Sequence, residues 1–307
     1  MTVSTTSTAP VPPGLVIAPQ LPDLLLPVKI RRGALGFLRN HPTVAIGGAL
    51  LLCLVLVGIF APFLGTVDPT ALAPAKRTRA PSADFWFGTD MLGRDIYSRV
   101  LYGARVSLTV GLSVALLASL AGLAIGLVSG FVRWADGIVM RFMDGLMSIP
   151  PILLAVALMA LTRGSVGNVI LAITVAEIPR VSRLVRSVVL SLREQPYVDA
   201  AIASGTRAPM IILRHILPNT LAPMLVQATY ICASAMIVES ILSFIGAGTP
   251  PTIPSWGNIM AEGRALWQVK PYIVFFPAAF LSVTVLAVNL LGDGLRDALD
   301  PRMAKGL

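Results

Sequence analysis

The sequence predicts an all-α membrane protein with six spanning helices and both termini in the cytoplasm. Of its 307 residues, 55% are hydrophobic and only 13% are charged, against about 25% charged in ordinary soluble domains. Six apolar runs are each long enough to cross a bilayer as a helix, at about 1.5 Å per residue. If the N-terminus lies inside, 15 of the 24 Lys and Arg residues fall on the inner side, as the positive-inside rule requires.

The N-terminal segment, residues 1–28, is rich in Thr, Ser and Pro and has no apolar period, so we expect it to be disordered. With the basic residues that follow, it forms a predicted cytoplasmic tail over residues 1–42. The first apolar run, 43–64, is too long for the core of a cleavable signal peptide, which has about 7–15 residues. We therefore predict a retained spanning helix there, followed by an extracytoplasmic loop at 65–104.

Five further apolar runs form a predicted core over residues 105–295. They lie at 105–131, 138–162, 165–187, 221–246 and 272–293. The run at 165–187 is interrupted by Glu177, Pro179 and Arg180. A proline is tolerated in a spanning helix where neighbouring helices satisfy the freed carbonyl, so a span is still predicted. A cytoplasmic tail over 296–307 ends the chain.

Several kinds of chemistry are missing from the sequence. There is no GxxxxGK[ST] loop to bind ATP, no HExxH and no metal-ligand spacing, so neither a metal nor a cofactor is expected in this chain. His41 and His215 lie at predicted cytoplasmic helix ends, which leaves the spans without the base that a membrane-embedded hydrolase needs. No catalytic residue is therefore predicted. The positive charges are spread between apolar runs rather than gathered in a patch, so nucleic acid is not an expected partner.

Ionisable residues inside spans are functional candidates. Asp144 is expected to pair locally with Arg141, and Glu177 with Arg180 at the same three-residue spacing. No carboxylate is predicted at mid-membrane and the two halves of the chain do not match, which disfavours a proton-coupled secondary carrier.

Three residues are candidates for lining a pathway: Met147, Pro150 and Glu239. Met147 ends a helical stripe of methionines above the Pro150–Pro151 pair, where either ordinary packing or a kinked, pathway-lining helix is consistent with the pattern. Glu239 is expected near the outer surface, where it either pairs with Arg264 or lines an outer cavity.

The segment 195–218 is polar and broken, although long apolar runs flank it. Asp199 suits a helix start, small residues keep the helix slim, and Gly205 permits a sharp turn. A second helix is predicted at 207–217, after which Pro218 resets the chain. Composition alone allows a helix lying on the membrane surface or one that docks on a partner.

This segment carries a family resemblance. DAA, a glycine four residues later and HILP resemble the EAA loop of bacterial ABC importer permeases, with Asp199 in place of the usual Glu. The segments GTDMLGRDIYSRVLYGARVSLTVG (88–111), LSFIGAGTPPTIPSWGNIM (242–260) and NLLGDGLRDALDPR (289–302) resemble the C-type permease subunits of dipeptide, oligopeptide and nickel importers. The resemblance covers roughly residues 30 to 303.

The resemblance implies one subunit of a larger importer in the bacterial inner membrane. Its partners would be a homologous B-type permease, two cytoplasmic ATPase subunits or a fused pair that bind ATP and Mg, and an extracytoplasmic binding protein. The first span would be an extra helix before a five-helix core. Peptides are the favoured substrate, because no His or Cys cluster favours nickel, although nickel or another small solute remains an alternative.

The resemblance also assigns roles to residues. The helix 199–205 would couple transport to the ATPase, and the 65–104 and 250–256 segments would face the binding protein; for Trp256, a membrane-boundary anchor is the alternative. The ATPase-coupling residues are Tyr197, Asp199, Ala200, Ala201, Ser204, Gly205, Arg207 and Pro218. The binding-protein-facing residues are Asp90, Arg94, Asp95, Pro251 and Trp256.

Three other function classes compete with a permease. A secondary carrier would need no ATPase-coupling loop, and a hydrolase would need a nucleophile–base pair. A binding-protein receptor without transport would leave the 195–218 loop without a role. The loop therefore favours the permease.

Overall fold

The computed structural model describes residues 34–299, and the predictions for residues 1–33 and 300–307 lie outside them. Within 34–299 the regular secondary structure is helical, apart from an isolated bridge between Thr89 and Asp95. The α-helices are α1 Ala34–Asn40, α2 Pro42–Phe60, α3 Ile96–Phe131, α4 Arg133–Met147, α5 Pro151–Ala160, α6 Val166–Arg193, α7 Pro196–Ala203, α8 Ala208–Ile211, α9 Leu217–Phe244, α10 Trp256–Gly263 and α11 Tyr272–Leu299.

Four helical segments of the described chain are long and apolar enough to cross a membrane, and α4 with α5 makes a fifth if the pair is one span. The four are Pro42–Phe63, Ile96–Phe131, Ala208–Phe244 and Tyr272–Leu299. The remaining predicted span, 165–187, corresponds to α6, which has 28 residues but carries Glu177, Arg180 and Arg183 along its length. The all-helical prediction is therefore confirmed for the described residues, whereas composition alone supports four or five spans.

The predicted span at 138–162 corresponds to two helices, α4 and α5, joined by a sharp bend. α4 and α5 meet at 86°, because Pro150 and Pro151 lack the N–H groups that would continue the helical ladder. α4 has a charged face, and α5 is only 10 residues long, or about 15 Å. The two helices thus return the chain across the bundle by a bent path.

Two helix boundaries also differ from the predicted ones. α3 begins at Ile96, inside the predicted 65–104 loop, because the Asp95 carboxylate accepts a hydrogen bond from the Ser98 backbone N–H at 2.8 Å and caps the helix. α11 continues to Leu299, so the start of the predicted 296–307 tail is helical.

α3 is the central helix, and a ridge of glycines packs it against α6. A Cβ added to Gly126 would lie 2.6 Å from the Cβ of Val185, far closer than two carbons can approach. Small residues at four-residue spacing allow this backbone contact between spanning helices. The pairs are Gly122 with Val181, Gly126 with Val185, and Gly130 with Val189.

The register of these pairs shows that α3 and α6 run parallel, since both numbers rise by four from one pair to the next. The chain must therefore cross back between them, through α4 and α5. On other sides of the bundle, α9 packs against α3, and α2 packs against α11, where Gly47 lies against the backbone of Leu291. The N-terminal spanning helix is thus added to the outside of the bundle.

Candidate coupling loop and charged sites

The predicted coupling segment forms a compact helix–turn–helix. α7 begins at Pro196, three residues before the predicted start at Asp199, with Gln195 as its N-cap residue. Proline suits the first helical position because its missing N–H would have no partner there. The Asp199 carboxylate therefore does not cap the helix; it lies in the first turn, where a negative charge still complements the helix dipole.

The turn after α7 depends on Gly205. Its φ is +75°, a conformation that glycine adopts without strain. Gly205 N–H donates to the carbonyl of Ile202 at 2.9 Å, and Thr206 N–H donates to that of Ala201 at 3.1 Å. This pair of bonds is a Schellman motif, which ends a helix and redirects the chain. The predicted sharp turn at Gly205 is confirmed.

Burial divides α7 into an attached side and a free side. Val198 is fully buried, and Ala201 is half-buried against the core. Ile202 is 52% exposed, and Tyr197 is also exposed, with its ring centroid 6.2 Å from that of His215. The predicted coupling residues included Ala201, which packs against the core, and missed Ile202. An apolar side chain among small residues was the sequence signal for Ile202. Asp199, Ala200 and Ser204 are exposed as well.

The second helix of the segment differs from the prediction. The chain is helical without interruption from Ala208 to Phe244, with a π-helical turn at Ile212–Ile216. Pro218 lies in the first turn of α9 rather than resetting the chain, because a proline is tolerated there. Arg207 is the N-cap residue of α8, and its carbonyl accepts from Met210 N–H at 2.9 Å.

On the opposite side of the bundle, a buried ion cluster joins the 65–104 segment to α10. Its members are Asp90, Arg94, Arg99 and Glu262. Asp90 Oδ2 lies 2.7 Å from Arg94 Nε and 2.6 Å from Arg99 Nη1, and Glu262 contacts both arginines. Asp90 and both arginines are buried.

This cluster corrects a prediction. Asp90 and Arg94 do not present their charges to a binding protein, because those charges pair within the chain, and Asp95 caps α3. Sequence reasoning missed Arg99 and Glu262. They are 163 residues apart, and a pairing at that separation leaves no local signal.

Trp256 is 0% exposed, so it is neither a membrane-boundary anchor nor a surface contact. Its indole Nε1–H donates to the Val100 carbonyl at 3.0 Å, and its ring packs beside Gly103 of α3. The preceding loop is held by Asn258, whose amide donates to the Pro250 carbonyl at 2.9 Å. Pro251 is exposed, and its predicted contact with a binding protein stays a prediction.

Glu239 is 0% exposed and takes neither of its two predicted roles. Its Oε1 accepts a hydrogen bond from Ser243 Oγ at 2.8 Å. Arg264 instead donates to the Phe244 carbonyl at 3.3 Å. A buried carboxyl requires hydrogen-bond partners. For Glu239 these are the hydroxyl groups of Ser240 and Ser243, and neither Arg264 nor an outer cavity takes part. Met147 and Pro150 lie exposed at the α4–α5 bend.

Three ion pairs involve the arginines of α6. Arg180 Nη1 lies 3.2 Å from Glu177, as predicted. Asp144 pairs with Arg183 at 2.6 Å rather than with Arg141, because the bent α4 lies against α6. Arg186 and Asp136 form a two-pronged pair at 2.5 and 2.7 Å, which the sequence interpretation missed. α4 and α6 are thus joined by two ion pairs.

The α3–α6 register also gives the level of Glu177 along α3. Each glycine–valine pair is offset by 59 residues. The chain has no charged residue between Arg105 in α3 and Arg133 at the start of α4, and the middle of that stretch is Ser119. The same offset brings Ile178 to this level, so Glu177 lies beside the middle of the uncharged stretch of α3. The prediction that no carboxylate lies at mid-membrane stays a prediction.

More than half of the chain, residues 119–305, matches the family described as binding-protein-dependent transport system inner membrane component. The chain belongs to this family. As a permease of such a system it is an inner-membrane component, and it works in general with a binding protein, an ATPase and a permease partner.

Relatives of the permease cover most of its length. It is 54% identical over 264 residues to the probable peptide ABC transporter permease protein y4tQ of Sinorhizobium fredii, spanning 86% of this chain and 90% of the relative. It is 41% identical to the dipeptide transport system permease protein DppC of Alkalihalophilus pseudofirmus, and the match spans 89% of this chain and 90% of the relative. It is 36% identical to the oligopeptide transport system permease protein OppC of Bacillus subtilis, and the match spans 87% of this chain and 88% of the relative.

The fold is also that of a solved transporter chain. A chain of the MetNI methionine ABC transporter, in an inward-facing conformation, matches with a TM-score of 0.55 at 20% identity. The match covers 66% of this chain and 96% of the other. The permease is thus DppC/OppC-like in sequence, and as a permease subunit it is not itself an enzyme. Among the residues that the structure describes, no group of three or more His, Cys, Asp and Glu side chains could hold a metal.

Proposed function

We propose that this permease forms, with a homologous B-type permease, the membrane pathway of an ATP-driven importer of dipeptides or oligopeptides. The observation that supports this most directly is α7. It is a short, exposed helix, attached by the buried Val198 and ended by a Schellman turn at Gly205. The peptide assignment rests on the relatives, which are named as peptide, dipeptide and oligopeptide permeases.

The topology that fits this function has six spans and both termini in the cytoplasm. α2 is the additional first helix, and the five-helix core consists of α3, the bent α4–α5 pair, α6, α9 and α11. α6 counts as a span despite its charges, because it runs parallel to α3 along three successive glycine contacts. This arrangement puts α7 in the cytoplasm and the buried ion cluster on the outer side.

The transport cycle divides the chemistry among the subunits. Two ATPase subunits, separate or fused, bind ATP and Mg, and this chain binds no cofactor. α7 inserts the side chains of Tyr197 and Ile202 into a cleft of the ATPase, and Asp199, Ala200, Ala201 and Ser204 form the rest of that contact. Arg207 and Pro218 flank it by starting α8 and α9. Closure of the ATPase pair then moves α6, whose last residue, Arg193, lies three residues before Pro196.

On the outer side, the exposed loop around Pro251 receives the binding protein. The buried Trp256 and the ion cluster of Asp90, Arg94 and Arg99 support that loop from beneath. Met147 and Pro150, at the α4–α5 bend, line the inner part of the pathway. Selectivity then lies mainly with the binding protein that delivers the peptide.

The proposal is tested by reconstitution in lipid vesicles. The complete set of both permeases, the ATPase subunits and the binding protein should take up a labelled pool of short peptides when ATP is supplied. The permease alone should neither hydrolyse ATP nor take up peptide. Uptake of nickel but of no peptide by the complete set would reassign the substrate, and ATP-independent uptake by the permease alone would make it a secondary carrier.

A further inference from the structure

Arg180 has an unusual place for a charged side chain. It lies two residues beyond Ile178, the residue of α6 at the centre of the uncharged stretch of α3, and 48% of its side chain is exposed. A charged side chain at this depth is not stable against lipid tails; it faces protein or water. The surface around Arg180 is therefore covered in the membrane by something other than lipid.

The exposed residues around Arg180 form a polar stripe. Arg180, Arg183, Ser187 and Ser191 are all exposed, and at 100° per residue they lie within 80° of one another around α6. The stripe runs from mid-membrane to the cytoplasmic end of the helix. Leu171, 58% exposed, lies nine residues before Arg180 and therefore on the opposite side of the helix. α6 thus has one polar and one apolar exposed side.

Glu177 pairs with Arg180 by charge without using its N–H donors. Glu177 is buried, and its Oε2 lies 3.2 Å from Arg180 Nη1 but accepts no hydrogen bond. A guanidinium has five N–H donors in a planar fork that suits a carboxylate. Glu177 faces away from the stripe, toward α9, where Ser234 Oγ lies 3.5 Å from its Oε1. The half-exposed guanidinium of Arg180 therefore has N–H donors available for a second carboxylate.

We propose that Arg180 binds a carboxylate on the polar side of α6, and that this carboxylate is the C-terminal group of a peptide passing along a water-filled pathway. The inference rests on the proposed function, since every linear peptide carries such a group. A carboxylate of the second permease subunit would have the same chemistry, and the experiment separates the two sources.

The first arm uses three variants of the complete complex: Arg180→Gln, Glu177→Gln, and both together. Uptake of a labelled pool of short peptides is read by mass spectrometry, with amounts of assembled complex matched. Loss of a charge-assisted hydrogen bond should lower uptake about tenfold in Arg180→Gln. The double variant should stay equally low. Recovery in the double variant would overturn the proposal, because Arg180 would then serve only to neutralise Glu177.

The second arm places a cysteine at position 180 (Arg180→Cys) in a background with Cys53→Ala and Cys232→Ala. In the solubilised complex, aminoethyl methanethiosulfonate should react and restore most of the uptake after reconstitution. The sulfonatoethyl and methyl reagents should react without restoring it. Leu171→Cys is the control on the opposite, apolar side, and none of the three reagents should lower its uptake.

The outcomes are separable. A cysteine at 180 that reacts in the isolated permease but not in the complex would assign the carboxylate to the second subunit and overturn the peptide site. Rescue that is independent of reagent charge, or normal uptake in Arg180→Gln, would also overturn it. A complex without any mutation that takes up no peptide would instead contradict the proposed function.

Discussion

The coupling segment and the buried ion cluster lie at opposite ends of the bundle, and they are built in different ways. The coupling segment is held by contacts within a few residues: a proline start, a Schellman turn and the carbonyl of Arg207. The cluster joins side chains as far apart as Arg94 and Glu262. One region exposes its side chains on a local motif, whereas the other buries its charges to hold two distant segments together.

This difference separates the expected effects of mutation. In the ion cluster, a substitution leaves a buried charge without its partner, so stability and assembly should fall. In the coupling segment, a substitution changes an exposed surface or a turn, so the complex should assemble and transport should fail.

The largest effect is expected for Arg99→Met. It removes a partner from both Asp90 and Glu262, and breaking a buried pair costs about 3 kcal/mol. The melting temperature of the solubilised complex should fall clearly. Arg77→Met is the control, because Arg77 is an exposed arginine of the same segment. An equal fall in both variants would mean that the cluster adds no stability of its own.

Ile202→Glu should come next. If Ile202 enters an ATPase cleft, burying its new charge there costs about 2 kcal/mol, and co-purification of the ATPase subunits should drop while the two permeases stay together. Ile202→Leu keeps the apolar contact and should retain them. Normal ATPase recovery with Ile202→Glu would show that α7 lies on the membrane surface instead.

Gly205→Val should cost about 1–2 kcal/mol within the turn itself, because a β-branched residue disfavours positive φ. Peptide uptake should fall while the amount of assembled complex stays unchanged. Asparagine tolerates this conformation far better, so Gly205→Asn should keep most of the uptake. Equal loss with Val and Asn would indicate that an added side chain, rather than the backbone conformation, is what the site rejects.

The smallest effect is expected for Glu239→Gln, below about 1 kcal/mol, since the amide oxygen can still accept from Ser243. Glu239→Leu leaves that hydroxyl without its acceptor and should lower the melting temperature by more. If Glu239→Gln lowered the melting temperature as much as Glu239→Leu does, the negative charge of Glu239, and not only its hydrogen bond with Ser243, would be required.

The same contrast explains what could be predicted from the sequence. The turn at Gly205 and the pair of Glu177 with Arg180 depend on neighbours in the chain, so the sequence predicted both. The burial of Trp256 depends on Gly103 and Val100, over 150 residues away. The π-helical turn at Ile212–Ile216 has no counterpart in the helical pattern of the sequence.

Depth in the membrane was the hardest property to predict. Glu177 appeared in the sequence as an interruption of an apolar run, close to Pro179 and Arg180. Only the register with α3 shows that it lies beside the middle of the uncharged stretch of that helix. The Pro150–Pro151 pair did signal a break, but the size of the bend, 86°, could not be predicted from the sequence.

The glycine–valine contacts of α3 and α6 also have a mechanical consequence. Helices whose backbones interlock at three successive levels cannot slide or roll past one another without collision, so they behave as one stiff strut. α6 alone has 28 residues, a length of about 42 Å, and α7 follows it after only two residues. A displacement at the α7 end of this strut should therefore move both helices together over their whole contact, whereas the 86° bend between α4 and α5 interrupts any such rigid connection through that pair.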